Sequence, residues 1–311
     1  MRAMRLPFLP QLPYRNLLAG LAILLAGCAG DPLQHADGLA SGAAFQREEI
    51  DTGRFVLTTY VKARPAPAVL RVYIEGDGRA WLSRTQVSPD PTPHEAMGLQ
   101  LALSDARANT ATNTAAGTAT DTANGTALLY LARPCQFTPM ARNPACGPAY
   151  WTGLRYAPEV VDAMNQALSQ YVARFRPARL ELVGYSGGGA IAVLLAARRQ
   201  DVSAIRTIAG NLDHVAVNRW HQVSQMPGSL NPIDLAQRVR TIPQRHFSGA
   251  DDRVVPTAIT RDFVAQTGSC AALQVVPGMA HESDWPAIWP GLLRQPLPCT
   301  SHTAAAGGKT Q

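Results

Sequence analysis

The sequence predicts an α/β fold in which a mostly parallel sheet is covered by helices on both faces. Two observations carry that expectation. From about residue 158 onward, short apolar segments alternate with longer segments of helical period, the order that parallel βα units require. Hydrophobic residues make up 46% of the 311-residue chain, enough to fill a sizeable core beneath two helix layers. Folds of this class commonly hold roughly 250 residues in one domain, so a single domain is the simpler expectation.

Phe55–Val61 and Val69–Ile74 are rich in β-branched and aromatic residues, with Pro65 and Pro67 between them, which predicts two strands separated by a break. A helix is expected from near His94 toward Ala102. Residues 104–126 are almost all Ala, Thr, Asn, Asp and Gly, and read as a disordered surface insertion before the strand Ala127–Leu131. In Pro158–Phe175 the apolar residues Val161, Met164, Leu168, Val172 and Phe175 recur at helical spacing, and Pro177 ends that helix. The strand Leu180–Val183 and a small-residue helix from Gly188 to Arg199 follow. Strands at Ile205–Ala209, Arg245–Phe247 and Leu273–Val276 then alternate with helices at Asp234–Val239, Thr257–Gln266 and Trp285–Leu293.

The formal net charge of +6 comes from scattered arginines with no interleaved aromatic residues, so the balance reads as solvation and nucleic-acid binding is not expected. The N-terminus is more specific. Arg2, Arg5 and Arg15 precede the apolar run Leu17–Leu25, which is short for a permanent membrane span and has the layout of an export signal. The run ends in Leu25-Ala26-Gly27-Cys28, which resembles the box of a bacterial lipoprotein signal. That resemblance implies removal of residues 1–27 and lipidation of Cys28. Residues 28–50 then read as a tether between that anchor and a domain at 51–298, with a tail at 299–311. The resemblance also implies the cell envelope as the location, and Ala29 leans toward the periplasmic face of the outer membrane. Each buried methylene contributes about 0.8 kcal/mol, and stable anchoring needs more than one chain, a condition a multiply acylated cysteine meets.

Export changes the reading of the other cysteines. Cys135, Cys146, Cys270 and Cys299 form an even set for an oxidising compartment. Three connectivities are possible, and sequence proximity favours Cys135 with Cys146 and Cys270 with Cys299. No Cys-x-x-Cys spacing of zinc or redox sites occurs, so a metal is not expected. No other cofactor is expected either.

Gly184-Tyr185-Ser186-Gly187-Gly188 follows an apolar strand and opens a helix. A serine on so sharp a strand-to-helix turn needs small neighbours two residues away, which Gly184 and Gly188 supply, and the Gly187 amide then points where an oxyanion would form. A dinucleotide-binding reading of Gly184, Gly187 and Gly189 wants an acid at the end of the next strand, whereas Asp201 precedes that strand. A serine nucleophile also needs a base and an orienting acid. Ser248-Gly249-Ala250-Asp251-Asp252-Arg253-Val254-Val255-Pro256 follows one strand and Pro277-Gly278-Met279-Ala280-His281-Glu282 follows the next.

Together these motifs, over about residues 55–293, resemble the α/β-hydrolase family, whose nucleophile, acid and histidine follow in this chain order. The resemblance implies the α/β-hydrolase fold, with Ser186 as nucleophile, His281 as base and Asp252 as the acid. Asp251 and Asp213 remain alternatives for the acid. His246, His214, His221 and His94 read as structural or rim residues. The second oxyanion donor belongs in Glu75-Gly76-Asp77-Gly78-Arg79, where Asp77 and then Gly78 are the candidates beside Gly187. Glutamate stands there where the family commonly has histidine, and its acidic side chains suggest discrimination against anionic substrates. Arg133-Pro134-Cys135-Gln136, Trp151-Thr152-Gly153-Leu154-Arg155-Tyr156 and Ser229-Leu230-Asn231-Pro232 resemble a group of bacterial α/β-hydrolase lipoproteins, which supplies no substrate. Residues 211–232, rich in Trp, His and Met, are expected to cover the pocket mouth. The expected activity is cleavage of a small-molecule ester, thioester or amide through an acyl-serine; the rival is a binding or envelope lipoprotein on the same scaffold.

Overall fold

The computed structural model describes residues 30–63, 66–115 and 125–299. In chain order the strands are β1 (Gln46–Asp51), β2 (Val56–Lys62), β3 (Val69–Ile74), β4 (Thr126–Leu131), β5 (Arg179–Tyr185), β6 (Val202–Ile208), β7 (Gln244–Gly249) and β8 (Ala271–Val276). The α-helices are α1 (Pro32–Gly42), α2 (Met97–Ala115), α3 (Pro158–Phe175), α4 (Gly187–Ala196), α5 (His214–Trp220), α6 (Thr257–Thr267) and α7 (Trp285–Leu293), with a 3₁₀ segment at Pro232–Val239. The strands form one eight-stranded sheet in the order β1-β2-β4-β3-β5-β6-β7-β8. β1 and β2 pair antiparallel, as do β2 and β4, and every later pairing is parallel.

Strand periodicity explains the two-sided core. Leu70, Val72 and Ile74 of β3, with Leu129 and Leu131 of β4, pack with Val161, Met164 and Leu168 of α3 and with α4. The alternate residues Tyr73, Leu128 and Tyr130 face Leu99 of α2 and Trp285 and Trp289 of α7. Neighbouring side chains on a strand point to opposite faces, so these predominantly apolar strands need helices on both sides. All ten residues of α4 are buried, which is why it is built from glycine, alanine and aliphatic residues.

Two sequence expectations are corrected. Part of the stretch read as a tether at 28–50 carries α1 and β1. Asp31 caps α1 by accepting from the Leu33 amide at 3.0 Å, Pro32 opens it, and Ala36 and Ala40 are buried against the sheet. Small buried alanines make a weak periodic signal, and β1 is an edge strand of mostly charged residues (Arg47, Glu48, Glu49, Asp51). The region read as a disordered insertion at 104–126 begins as helix, since α2 continues to Ala115. Alanine is the strongest helix former, and the first two polar residues of the stretch, Ser104 and Asp105, are buried with hydrogen-bond partners. Ser104 donates to Pro286 O at 2.6 Å, and the Asp105 carboxylate accepts from Arg71 at 2.6 Å and Tyr73 at 2.8 Å. The disulfides join Cys135 to Cys146 and Cys270 to Cys299, as sequence proximity favoured. Cys28 and residues 300–311 lie outside the described residues.

Candidate active site

The site gathers at the C-terminal ends of β3, β5, β7 and β8. The register sets Ile74 beside Gly184 and Gly249 beside Val276, so the loops leaving these strands emerge on one rim. Ser186 sits between β5 and α4 at φ 50° and ψ −119°, a strained conformation for a residue with a side chain. Its amide donates to Ile208 O at 2.9 Å, and its carbonyl accepts from Gly189 and Asn211, so the turn is held from both sides. A Cβ on Gly184 would collide with the Gly188 backbone, and one on Gly188 with the carbonyls of Ile74 and Glu75. The glycines at both positions are therefore steric requirements of the turn.

His281 Nε2 lies 3.0 Å from Ser186 Oγ, and His281 Nδ1 lies 2.8 Å from Asp252 Oδ2. A carboxylate only accepts, so the proton belongs on Nδ1 and the Nε2 lone pair faces the hydroxyl. Asp252 Oδ1 accepts from the amides of Val254 and Val255, each at 2.8 Å. The histidine loop is fixed by Tyr185 OH and Trp285 Nε1, both donating to His281 O at 3.0 Å. Asp252 and His281 are 6% and 8% exposed, so the relay is shielded from water except at the serine. This arrangement can transfer a proton from Oγ to Nε2 and stabilise the imidazolium that results.

The other candidates fall elsewhere. Asp251 is exposed. Asp213 caps α5, its Oδ1 accepting from Val215, Ala216 and Asn231. His246 is buried within β7 between Thr207 and Gln244, and burial pushes its imidazole down to about 3. His214 is buried beside the Tyr156 ring, and burial lowers its proton affinity. His221 meets Val254 O, and His94 pairs with Arg79.

The loop after β3 lies against the elbow. A Cβ on Gly187 would collide with the Asp77 carboxylate, so the side chain of one oxyanion candidate rests on the backbone of the other. Among the described residues, neither the Asp77 amide nor the Gly187 amide has an internal acceptor. The expectation that Glu75 and Asp77 repel anions is corrected, because neither carboxylate is free. Glu75 is buried and accepts from the amides of Gly76 and Gly98 and from Tyr130 OH. Burial pushes its carboxyl up against the opposing pull of those donors. Asp77 accepts from Arg133 at 3.1 Å, Arg155 at 2.9 Å and Tyr156 OH at 2.7 Å. Burial works against its ionisation, but the two guanidinium groups and the phenol hold it below the ordinary carboxylate value.

Sequence reading assigned no role to Arg133, Arg155 and Tyr156, although it singled out both segments that hold them. Gln136 likewise donates to Gly76 O at 3.1 Å and carries the far side of the same loop. Glu75, Asp77, Arg155, Ser186 and His281 line a cleft of about 840 Å³, with Trp81 and Val254 also in its wall. None of residues 211–232 lines it, which corrects the expectation of a cover there.

No protein-family model and no curated protein sequence matches the chain. Solved structures do. The esterase Pf2001 of Pyrococcus furiosus is 9% identical with a TM-score of 0.56, the match covering 81% of this chain and 92% of that one. Est1E from Butyrivibrio proteoclasticus is 14% identical, TM-score 0.51, covering 79% and 95%. An alpha-beta serine hydrolase homologue from Coxiella burnetii is 16% identical, TM-score 0.51, covering 79% and 93%. With the strand order above, these likenesses make the fold of this chain that of the α/β-hydrolases.

Proposed function

We propose that the chain is a serine hydrolase that cleaves an ester, thioester or amide of a small molecule through an acyl-Ser186 intermediate. The observation that carries this reading is the unbroken line from Ser186 Oγ to His281 to Asp252, at 3.0 and 2.8 Å. Oγ attacks the acyl carbon while its proton passes to Nε2. The tetrahedral intermediate collapses, the bond to the leaving group breaks, and Nε2 returns the proton to that group. Water then repeats the sequence, releasing the acid and restoring Ser186. The amides of Asp77 and Gly187 are the donors for the oxyanion. A cleft of about 840 Å³ suits a small-molecule acyl compound. The envelope location and the lipid on Cys28 belong to the same proposal and rest on the box at Leu25–Cys28.

The test is labelling with a fluorophosphonate probe, native chain against Ser186→Ala. Labelling that vanishes in the variant, with p-nitrophenyl ester cleavage that vanishes too, supports the proposal. An unlabelled native chain with no ester cleavage would leave a binding protein on a hydrolase scaffold.

A further inference from the structure

The carboxylate of Asp77 is in a place where a negative charge is harmful. It rests against Gly187, whose amide neighbours the serine, so an anion developing on the substrate would form close to it. The surrounding cluster reverses that sign. Arg133 and Arg155 both bind Asp77, and among the described residues neither guanidinium has a second carboxylate partner. Two positive charges meet one negative charge, and the Tyr156 hydroxyl donates to the same carboxylate. The three segments without an assigned role in the sequence converge here. Arg133 comes from the first, and Arg155 and Tyr156 from the second. From the third, Ser229 Oγ accepts from the Tyr156 amide at 3.1 Å and donates to Gly153 O at 2.9 Å. Arg155 also reaches the cleft wall.

We infer that Asp77 and Arg155 are positioning residues of the acyl-transfer site. Resting on the hydrolase reading above, the inference deepens it. The Asp77 side chain pins the backbone amide that binds the oxyanion, and Arg155, with Arg133, makes the charge behind that amide net positive. Removing Arg155 alone leaves a neutral pair with its carboxylate against the oxyanion. Removing both the Arg155 charge and the Asp77 charge restores one net positive charge from Arg133.

Four proteins test this on a p-nitrophenyl ester, each with a thermal unfolding curve: native, Arg155→Met, Arg155→Lys and Asp77→Asn/Arg155→Met. For Arg155→Met, kcat is expected to fall roughly tenfold to a hundredfold, with KM changed less than about threefold and fluorophosphonate labelling slowed in proportion. The lysine variant and the double variant are each expected to recover at least about half of that loss on a logarithmic scale. A purely structural cluster would make the double variant the slowest of all. A double variant no faster than Arg155→Met, or a lysine variant as slow as the methionine variant, overturns the inference. If Arg155→Met does not fold, the lysine and double variants are compared with the native chain, and either one more than about a hundredfold slower overturns it. A native chain that takes no label overturns the hydrolase reading and this inference with it.

Discussion

Asp252 meets His281 through Oδ2 alone, at 2.8 Å, because its Oδ1 is already held by the amides of Val254 and Val255. That division of labour has a consequence. An asparagine at 252 must keep its oxygen on the two amides, which places its NH₂ against Nδ1 of the histidine. Two donors then face each other, and the imidazole is driven to the wrong tautomer.

Asp252→Asn is therefore expected to lower kcat by about three to four orders of magnitude while leaving the melting temperature close to native. Asp213→Asn keeps a competent helix cap and Asp251→Asn alters only an exposed side chain, so both are expected to stay within about threefold of native. Steady-state ester hydrolysis checks all three. Equal losses at 213 and 252 would contradict the assignment of the acid.

A methyl group at Gly188 would press into the carbonyls of Ile74 and Glu75, which are backbone atoms and cannot rotate away. Gly188→Ala is expected to cost about 1–3 kcal/mol in urea unfolding and to remove ester hydrolysis, since β3 and the elbow must separate. Gly291 has open space around its Cβ position, so Gly291→Ala in α7 is expected to be neutral or slightly stabilising in the same assay.

The Cys135–Cys146 bond lies beside Arg133 and Gln136, the residues that hold the loop carrying Asp77. With a sequence separation of 11, its loss is expected to remove about 3 kcal/mol of stability in the chain-entropy model. Cys135→Ser/Cys146→Ser is also expected to lower kcat, because the turn that braces Gly76 is released. Cys270→Ser/Cys299→Ser lowers stability and leaves kcat near native. Denaturant midpoints and kinetics on both variants separate the two effects.

His246 is buried, and its Nε2–H donates to Gln244 Oε1 while Nδ1 accepts from Thr207. The imidazole is held neutral, with its pKa pushed down to about 3 by burial, against about 6.5 for an exposed histidine. A depressed folded-state value makes this contribution complete above about pH 6.5 and lost progressively as pH falls toward 3. The unfolding free energy of His246→Gln is expected to fall less steeply over that window than that of the native chain. An NMR titration showing residue 246 charged at pH 5 would rule this out.

The elbow was legible because its demands are local. Glycine at 184 and 188 follows from crowding between strand and helix, which five consecutive residues express. The loops holding Asp252 and His281 were legible for a related reason, since each follows directly on an apolar strand. The role of Asp77 was not. Its partners Arg133, Arg155 and Tyr156 lie more than fifty residues away in sequence, and ion pairs between distant loops leave no periodic trace. The helix α1 was missed because alanines at 36 and 40 look the same in a buried face as in a flexible linker. The extension of α2 was hidden by composition, as Asp105 reads as solvated until Arg71 and Tyr73 are seen to surround it.

The helix that starts at Pro32 also bears on the proposed lipid anchor. If Cys28 bears the lipid implied by its signal box, only Ala29, Gly30 and Asp31 separate it from folded structure. Such a leash reaches on the order of 10–14 Å at full stretch. The body would then ride at headgroup height with restricted tumbling, and molecules at or near the lipid surface would be sampled ahead of those deep in the aqueous space.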